Sequence, residues 1–461
     1  MDEYLKGTYC TIFKYWILSQ KIKETKIYLE EDHLICMENI KYQGDIYFHE
    51  MNIIELKITN LISNENEFYL HFQMNNLKHA TQLFEEMKEC MEQVEKEKII
   101  KVLLSCSGGL TTSYFASLLN ETSQLLDLNI QVDAVASTQI KDVIENYDIV
   151  YLAPQVCYML STIKSYSQKV PVYSVPSQIF AKYDAKAFIQ MLFNTINEQS
   201  IQEKISMDLK IEPRKKKNIL CLSLFRDRKR IHIIYRYYNQ NQVVILENEI
   251  IKLKITIQDI YDIIHYVISI YPQLEIIGIS TPGYMNKNET LISTYLNGLD
   301  NCNIYELLKK EFHQDIYIYN DVNSAAAGYF ASQNEYQNLV FLFQPVNHFP
   351  GAGIIINGQL IKGHANLAGE IQFSSKHLKK EYFIEGKSQK EIMDVLMNDI
   401  LTIISVIAPE MIIIYTELTD DTSELYRELS KIISSDALPI MKKVKNINEY
   451  IFMGLLYLCL D

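Results

Sequence analysis

Lys101-Val-Leu-Leu-Ser-Cys106-Ser-Gly-Gly-Leu-Thr-Thr-Ser113 is the stretch from which the rest of the chain can be read. Val102 to Leu104 is an apolar run short enough for a buried parallel strand, and Tyr114 to Leu126 carries apolar residues at helical spacing. Between them the sequence predicts an anion nest. Gly108 and Gly109 accept positive φ, so successive backbone N–H groups can turn inward, and a helix beginning at Thr112 or Ser113 adds unsatisfied donors and partial positive charge. A thiol held there is pushed toward thiolate, because such surroundings lower a cysteine pKa from about 8.5 into the range of roughly 3.5–7.5. Cys106 is therefore a candidate nucleophile, with a phosphate cradle of Ser107, Gly108, Gly109, Leu110, Thr111, Thr112 and Ser113. The plainer alternative is a packing cysteine before a tight turn with a Ser/Thr helix cap.

Further strands are expected at Ile130 to Ala136, Ile149 to Pro154 and Val170 to Val175, with helical patterns between and after them. Short apolar strands alternating with helices argue a parallel α/β sheet with right-handed crossovers. On Cys106 to Ser113, Asp148 to Met159 and Lys169 to Val175, residues 98–200 resemble the IIB component of the lactose/cellobiose class of the sugar phosphotransferase system. The resemblance implies a four-stranded parallel α/β domain with a phosphate loop. In that family the cysteine matching Cys106 takes a phosphoryl group from a phosphohistidine on a IIA partner and passes it to a sugar held by a membrane IIC partner. The backbone of Ser107 to Ser113 then becomes its cradle. Tyr158 matches a family position near the loop, and reads equally as an ordinary half-buried tyrosine.

A chain of 461 residues suggests about three domains, and 48% apolar residues suffice for packed cores. The net charge of -13 argues against a nucleic-acid-binding face. The compact basic run Arg214-Lys-Lys-Lys217 reads as a solvated linker. Met1 to Lys6 has no charged leader with an apolar core, and the longest apolar run, Ile400 to Tyr415, is broken by Pro409 and Glu410. Eight scattered cysteines, without a CxxC pair or a Cys/His cluster, fit reduced thiols. A cytoplasmic protein without membrane insertion is the expectation.

Residues 1–97 read as a small β-rich module. Lys26 to Leu29, His33 to Met37, Gly44 to Phe48, Ile53 to Ile58 and Glu67 to Phe72 look like successive strands, and Leu77 to Glu95 like one closing amphipathic helix. The paired short helices of a helix-turn-helix DNA reader are missing. Its ligand is not legible.

Residues 201–216 read as a linker, and 217–461 as a second α/β unit. Strands are suggested at Ile219 to Leu224, Ile231 to Tyr237, Val243 to Glu247 and Ile276 to Ser280, and a helix at Ile257 to Ile270. Three clusters follow: Ile277-Gly-Ile-Ser-Thr-Pro-Gly283; Ile316-Tyr-Ile-Tyr-Asn320-Asp321-Val-Asn323; and the hairpin Gly351 to Gly363 with an Asn357-Gly358 turn, leading to Ala368-Gly369-Glu370. In this order and spacing they resemble the ROK family of sugar kinases and repressors, with the two-lobed fold of hexokinase and actin. The family pattern implies that Asn320 bonds a sugar hydroxyl, that Asp321 is the general base toward the attacking hydroxyl, and that Glu370 holds further hydroxyls.

Departures from the family are as informative. Its first phosphate turn is glycine-rich, whereas Ser223-Leu-Phe-Arg-Asp-Arg-Lys229 contains no glycine; the second reads Pro345-Val-Asn-His-Phe-Pro350. Phe373 replaces a histidine, no cysteine cluster follows before Cys459, and Met411 to Glu417 lacks the Gly-Gly pair that admits adenosine. A degenerate kinase domain is expected, without zinc or ATP, keeping a sugar pocket and able to mediate oligomer contacts. The expected activity is IIB-type phosphoryl transfer through Cys106, with a phosphohistidine IIA protein, a membrane IIC protein in trans, and a sugar or sugar phosphate as partners. A non-catalytic sugar-binding regulator of ROK type that reads phosphotransferase status is the alternative, and an active ATP-dependent sugar kinase is the least favoured.

Overall fold

Alternating burial builds the first part of the molecule, a computed structural model that describes residues 3–461 apart from 62, 93–99, 109, 126–127, 129, 165, 167–169, 199–208, 212–213, 228–229, 286–289, 293–295, 297, 346–348, 374–388, 417 and 419–421. Helix α1 (Glu3–Leu18) precedes β1 (Lys26–Glu31), β2 (Leu34–Glu38), β3 (Tyr42–Phe48), β4 (Ile53–Asn60) and β5 (Asn66–Gln73), and α2 (Leu77–Glu92) closes the set. Ile54, Leu56 and Ile58 of β4 are fully buried while their odd-numbered neighbours stay partly exposed, the period of a one-sided strand. The five strands match the sequence reading, and so does the closing helix over Leu77–Glu92, residues 93–95 of the expected helix lying outside the described residues. The helix α1 is an addition to it, seating Phe13 and Ile17 in the core at full burial.

Next comes the cysteine domain: β6 (Ile100–Cys106), α3 (Leu110–Leu125), β7 (Ile130–Ala136), β8 (Ile149–Leu152), β9 (Val172–Ser174) and a last helix, Ala185–Glu198. Its sheet is parallel throughout, in the order β7-β6-β8-β9. A core of its own, with Phe115, Tyr151 and Phe188 among the buried side chains, draws only on residues of this segment.

The chain then returns to the first sheet. Strands β10 (Ile219–Arg226), β11 (Ile231–Tyr238), β12 (Val244–Lys252) and β13 (Ile276–Thr281) and the strand Asp315–Asn320 complete ten strands in the order β1-β2-β3-β4-β5-β12-β11-β10-β13, then Asp315–Asn320. The join is an antiparallel pairing of β5 with β12, Ile251 opposite Tyr69. The sequence suggests separate units at 1–97 and 217–461, whereas in the structure one buried core holds residues from Phe13 to Met91 together with residues from Leu220 to Ile316. The cysteine domain is thus an insertion between α2 and β10 of a single body.

Within that body β12-β11-β10-β13 and Asp315–Asn320 repeat a pattern found again in the second lobe. There Gln359–Leu360, Gly351–Ile356, Leu339–Gln344, Met411–Thr416 and Ile440–Lys443 lie in that order. In both lobes the central strand continues on one side into a meander of two strands, each antiparallel to the one before, and is followed on the other side by two parallel strands. This duplicated sheet is the two-lobed hexokinase-like fold. Helices Asp321–Ala331 and Ile447–Leu460 pack between the lobes. Their axes approach where both have glycine: a Cβ on Gly328 would lie 1.8 Å from the Tyr450 carbonyl oxygen, and one on Gly454 1.8 Å from that of Ser324.

Much of the expected linker 201–216 lies outside the described residues. The described end of it lies against the ends of these two helices: Lys210 N–H donates to the Ala331 carbonyl at 2.9 Å, Lys215 N–H to that of Leu460 at 2.9 Å, and Arg214 pairs with Asp461 at 2.9 Å. No helix among the described residues is long and apolar enough to cross a membrane.

Candidate functional sites

The central strand β6 delivers Cys106 to the carboxyl edge of the parallel sheet. The chain leaves β6 toward β7 on one side and reaches β8 on the other, so the gap between β6 and β8 is the topological switch point, the usual ligand position of such sheets. The end of β6 is pinned on both sides: Ser105 Oγ donates to the Val135 carbonyl at 3.0 Å, and Ala153 N–H donates to the Ser105 carbonyl at 2.8 Å. Cys106 itself is 2% exposed, and its Sγ lies 3.2 Å from Oγ1 of Thr112, which is fully buried. Either group can be the donor in this contact; where the hydroxyl donates to sulfur, it favours the thiolate over the thiol.

Helix α3 begins at Leu110 rather than at Thr112 or Ser113, which puts Thr112 in its first turn, facing back to the sulfur. Ser107, Gly108, Thr111 and Ser113 are exposed around that thiol. Gly109 lies outside the described residues, as does the side chain of Leu110. The expectation of a positive φ at Gly108 is corrected: the left-handed glycines among the described residues are 283, 298, 358, 363 and 369. What Gly108 contributes is room, since a Cβ there would meet nothing within 4 Å. Tyr158 is 78% exposed rather than half-buried, in the short turn Pro154–Met159 that follows β8.

The second site lies between the lobes, at the carboxyl ends of β13 and Asp315–Asn320. Asn320 caps the helix Asp321–Ala331: its Oδ1 accepts from Asn323 N–H at 3.1 Å and its Nδ2 donates to the Gly283 carbonyl at 2.7 Å. Asp321 is buried, and burial pushes its carboxyl up to about 7, with the charge of Glu370 adding to the effect. The Glu370 carboxyl is also raised by burial, and accepts from Gln372 Nε2 at 2.6 Å. Gly369 (φ +84) holds the turn before it against Ala352, whose carbonyl oxygen would sit 1.7 Å from a Cβ.

Asn320 lines the cleft here together with Thr281, Tyr319, Asn323, Lys362 and Asn366, whereas Asp321 and Glu370 do not line it. Lys362 and Asn366 were not singled out in the sequence, although both lie within the quoted run from the Asn-Gly hairpin to Glu370. A charged residue after a hairpin reads as solvated, and only the fold of residues 361–370 turns it toward β13.

The glycine-free turn between β10 and β11 is closed by Asp227 N–H donating to the Arg230 carbonyl at 3.0 Å and Arg230 N–H donating to Asp227 Oδ1 at 2.5 Å. Arg230 pairs with Glu67 of β5, Nη2 to Oε2 2.8 Å, while Asn60 Nδ2 donates to Glu67 Oε1 at 3.0 Å. Residues 346–348 of the second turn, the segment 374–388 in which a family zinc cluster would fall, and Glu417 lie outside the described residues.

Comparison with known proteins finds a family match for each of two parts of the chain. The family model "PTS system, Lactose/Cellobiose specific IIB subunit" matches residues 101–191, and the "ROK family" model residues 239–373. The chain therefore combines a IIB domain with a ROK-family domain. The first is of phosphotransferase type, and such domains in general work with IIA and IIC partners. Among curated relatives, a xylose repressor of Bacillus spizizenii is 27% identical over 124 residues, 26% of this chain and 32% of that protein, so the chain spans about a third of the relative's length. Among solved structures, the putative N-acetylmannosamine kinase Lmo2764 of Listeria monocytogenes matches 52% of this chain and 97% of its own at 18% identity, TM-score 0.40. The lactose-specific IIB component of Streptococcus pneumoniae matches 22% and 97% at 21% identity, TM-score 0.20.

Proposed function

We propose that the chain is a cytoplasmic phosphoryl carrier of IIB type in which Cys106 accepts phosphate from a phosphohistidine IIA protein, and that the ROK-type body senses sugar without turning over ATP. The observation that carries the reading is the Cys106 thiol at the sheet's switch point, 3.2 Å from the Thr112 hydroxyl in the first turn of α3. In the step itself the Cys106 thiolate attacks phosphorus, the S–P bond forms as the N–P bond of the phosphohistidine breaks, and the imidazole leaves with the electron pair and picks up a proton. The first-turn N–H groups and partial positive charge of α3 stabilise the phosphoryl oxygens as they arrive. The product carries about −1.5 to −2 charge on the exposed edge of the sheet, which changes what the inserted domain attracts.

A regulatory use of the ROK-type body is supported by the likeness to a xylose repressor. It is also supported by the glycine-free β10–β11 turn, whose Cβ atoms hinder approach of nucleotide phosphates to the backbone. A IIC protein in trans is the acceptor where the phosphoryl group moves on to sugar. The test is labelling from phosphoenolpyruvate through the general phosphotransferase proteins and a set of IIA partners. Label on the intact chain that is absent from Cys106→Ser supports the carrier. A folded chain that accepts label from none of them leaves a sugar-responsive regulator.

A further inference from the structure

Among the described residues, the lining of the interlobe cleft contains one cation and no carboxylate. Thr281, Tyr319, Asn320, Asn323, Lys362 and Asn366 supply its polar lining. Lys362 extends its ammonium over the ring of Tyr319, 4.8 Å from the centroid, and no carboxylate pairs with it among the described residues. Asn323 is 8% exposed, and its side-chain amide has no hydrogen-bond partner among the described residues, although it lines this cleft. The amide is reached from the cleft, and it offers a polar ligand there both a donor and an acceptor.

The segment holding Lys362 is shaped for that position. Gly363 (φ +67) packs against Ala368, and Ala365 (φ +54) and Asn366 (φ +58) are two successive residues in the left-handed region. Side chains with a Cβ adopt that region reluctantly, and such backbone persists where the surroundings hold it, often beside ligands. Here it brings Lys362 and Asn366 to one side of the cleft, with Asn320 and Asn323 on the other. Neutral donors and acceptors suit sugar hydroxyls, while an ammonium without a carboxylate suits an anion.

We infer that this cleft takes a sugar bearing an anionic group, a phosphate ester or a carboxylate, with Lys362 on the anion and Asn320, Asn323 and Asn366 on the hydroxyls. This rests on the reading of the cleft as a sugar site and adds the ligand's charge to it. In a chain that also carries a IIB domain, the phosphate ester is the chemistry that sugar phosphotransfer produces.

The test is calorimetric titration of the full chain with xylose, glucose and galactose, their phosphate esters, gluconate and inorganic phosphate. An anionic sugar is expected to bind about tenfold or more tightly than its neutral parent, as a hydrogen bond to a charged group allows. That preference is expected to fade with salt, to vanish in Lys362→Gln and to survive in Lys362→Arg. Gluconate and glucose 6-phosphate separate carboxylate from phosphate ester. A neutral sugar bound as tightly as its anionic form, and lost in Asn320→Ala, overturns the inference while the sugar site stands. An unchanged preference in Lys362→Gln overturns the role of that residue. Inorganic phosphate bound as tightly as the sugar phosphates reduces the site to an anion site, and binding of none of these ligands overturns both the inference and the sugar site.

Discussion

Arg230 and Glu67, 163 residues apart in sequence, form a buried ion pair, Nη2 to Oε2 2.8 Å, with each side chain 6% exposed. It joins β5 of the first module to the start of β11, across the point where the inserted domain separates them. With Lys252 bonded to both Glu86 and Asp259 at 2.5 Å, and His79 to Asp262 at 2.8 Å, it makes the seam of the ten-stranded sheet a polar as well as an apolar joint.

Breaking one side of such a pair leaves a buried charge. Glu67→Gln is expected to destabilise the body by about 3–5 kcal/mol, whereas Glu67→Leu combined with Arg230→Met is expected to restore most of it. Trp16, the chain's single tryptophan, stacks on Phe13 in the core of this body, so urea unfolding followed by its fluorescence reads this unit and not the inserted domain.

The two helices between the lobes leave no room for a methyl group where they cross. Gly454→Ala or Gly328→Ala must push a Cβ away from a carbonyl oxygen 1.8 Å distant. A loss of about 1–3 kcal/mol or more is expected, read as a lower melting temperature, with phosphoryl acceptance by the separate core of the inserted domain unchanged.

Thr112→Val keeps the shape of the side chain and removes the hydroxyl beside Cys106. The rate of phosphoryl acceptance is expected to fall about tenfold or more, as for a lost hydrogen bond to a charged group, with little change in the stability of the domain. An unchanged rate would leave the 3.2 Å contact a packing detail.

Asp321 sets a pH dependence of known sign. Its carboxyl is raised to about 7 in the folded chain against an ordinary value near 4, so between pH 4 and pH 7 the folded state binds the proton that the unfolded state has released. Its contribution is therefore most favourable below pH 4 and declines as pH rises to 7. Relative to the wild type, Asp321→Asn should gain stability from pH 5 to pH 8. Parallel denaturation curves at the two values check this, and a difference that does not change with pH would contradict it.

What the sequence discloses depends on how local the signal is. β7 and the helix Ile257–Ile270 fall where periodicity puts them, since each is one apolar pattern between clear breaks. Helix α1 escaped because Tyr9, Ile12, Tyr15 and Trp16 lend it aromatic and β-branched character, with an apolar face that wraps partly into solvent. The pairing of Tyr69 with Ile251 has no local signature, because it closes across an entire inserted domain. Of the candidate site, Cys106 and Thr112 were legible from a strand running into a Ser/Thr-rich turn. Lys362 and Asn323 were not, because only the folded loops make one an isolated cation over Tyr319 and the other a buried amide facing the cleft.

The central claim is the chemistry of Cys106, and phosphorus NMR of the chain mixed with a phosphorylated IIA partner tests it most directly. A thiophosphate ester resonance on the intact chain, absent from Cys106→Ser and lost on treatment with iodine, is the result the account predicts. A phosphoramidate resonance on the chain, or a thiophosphate signal that persists in Cys106→Ser, would contradict it.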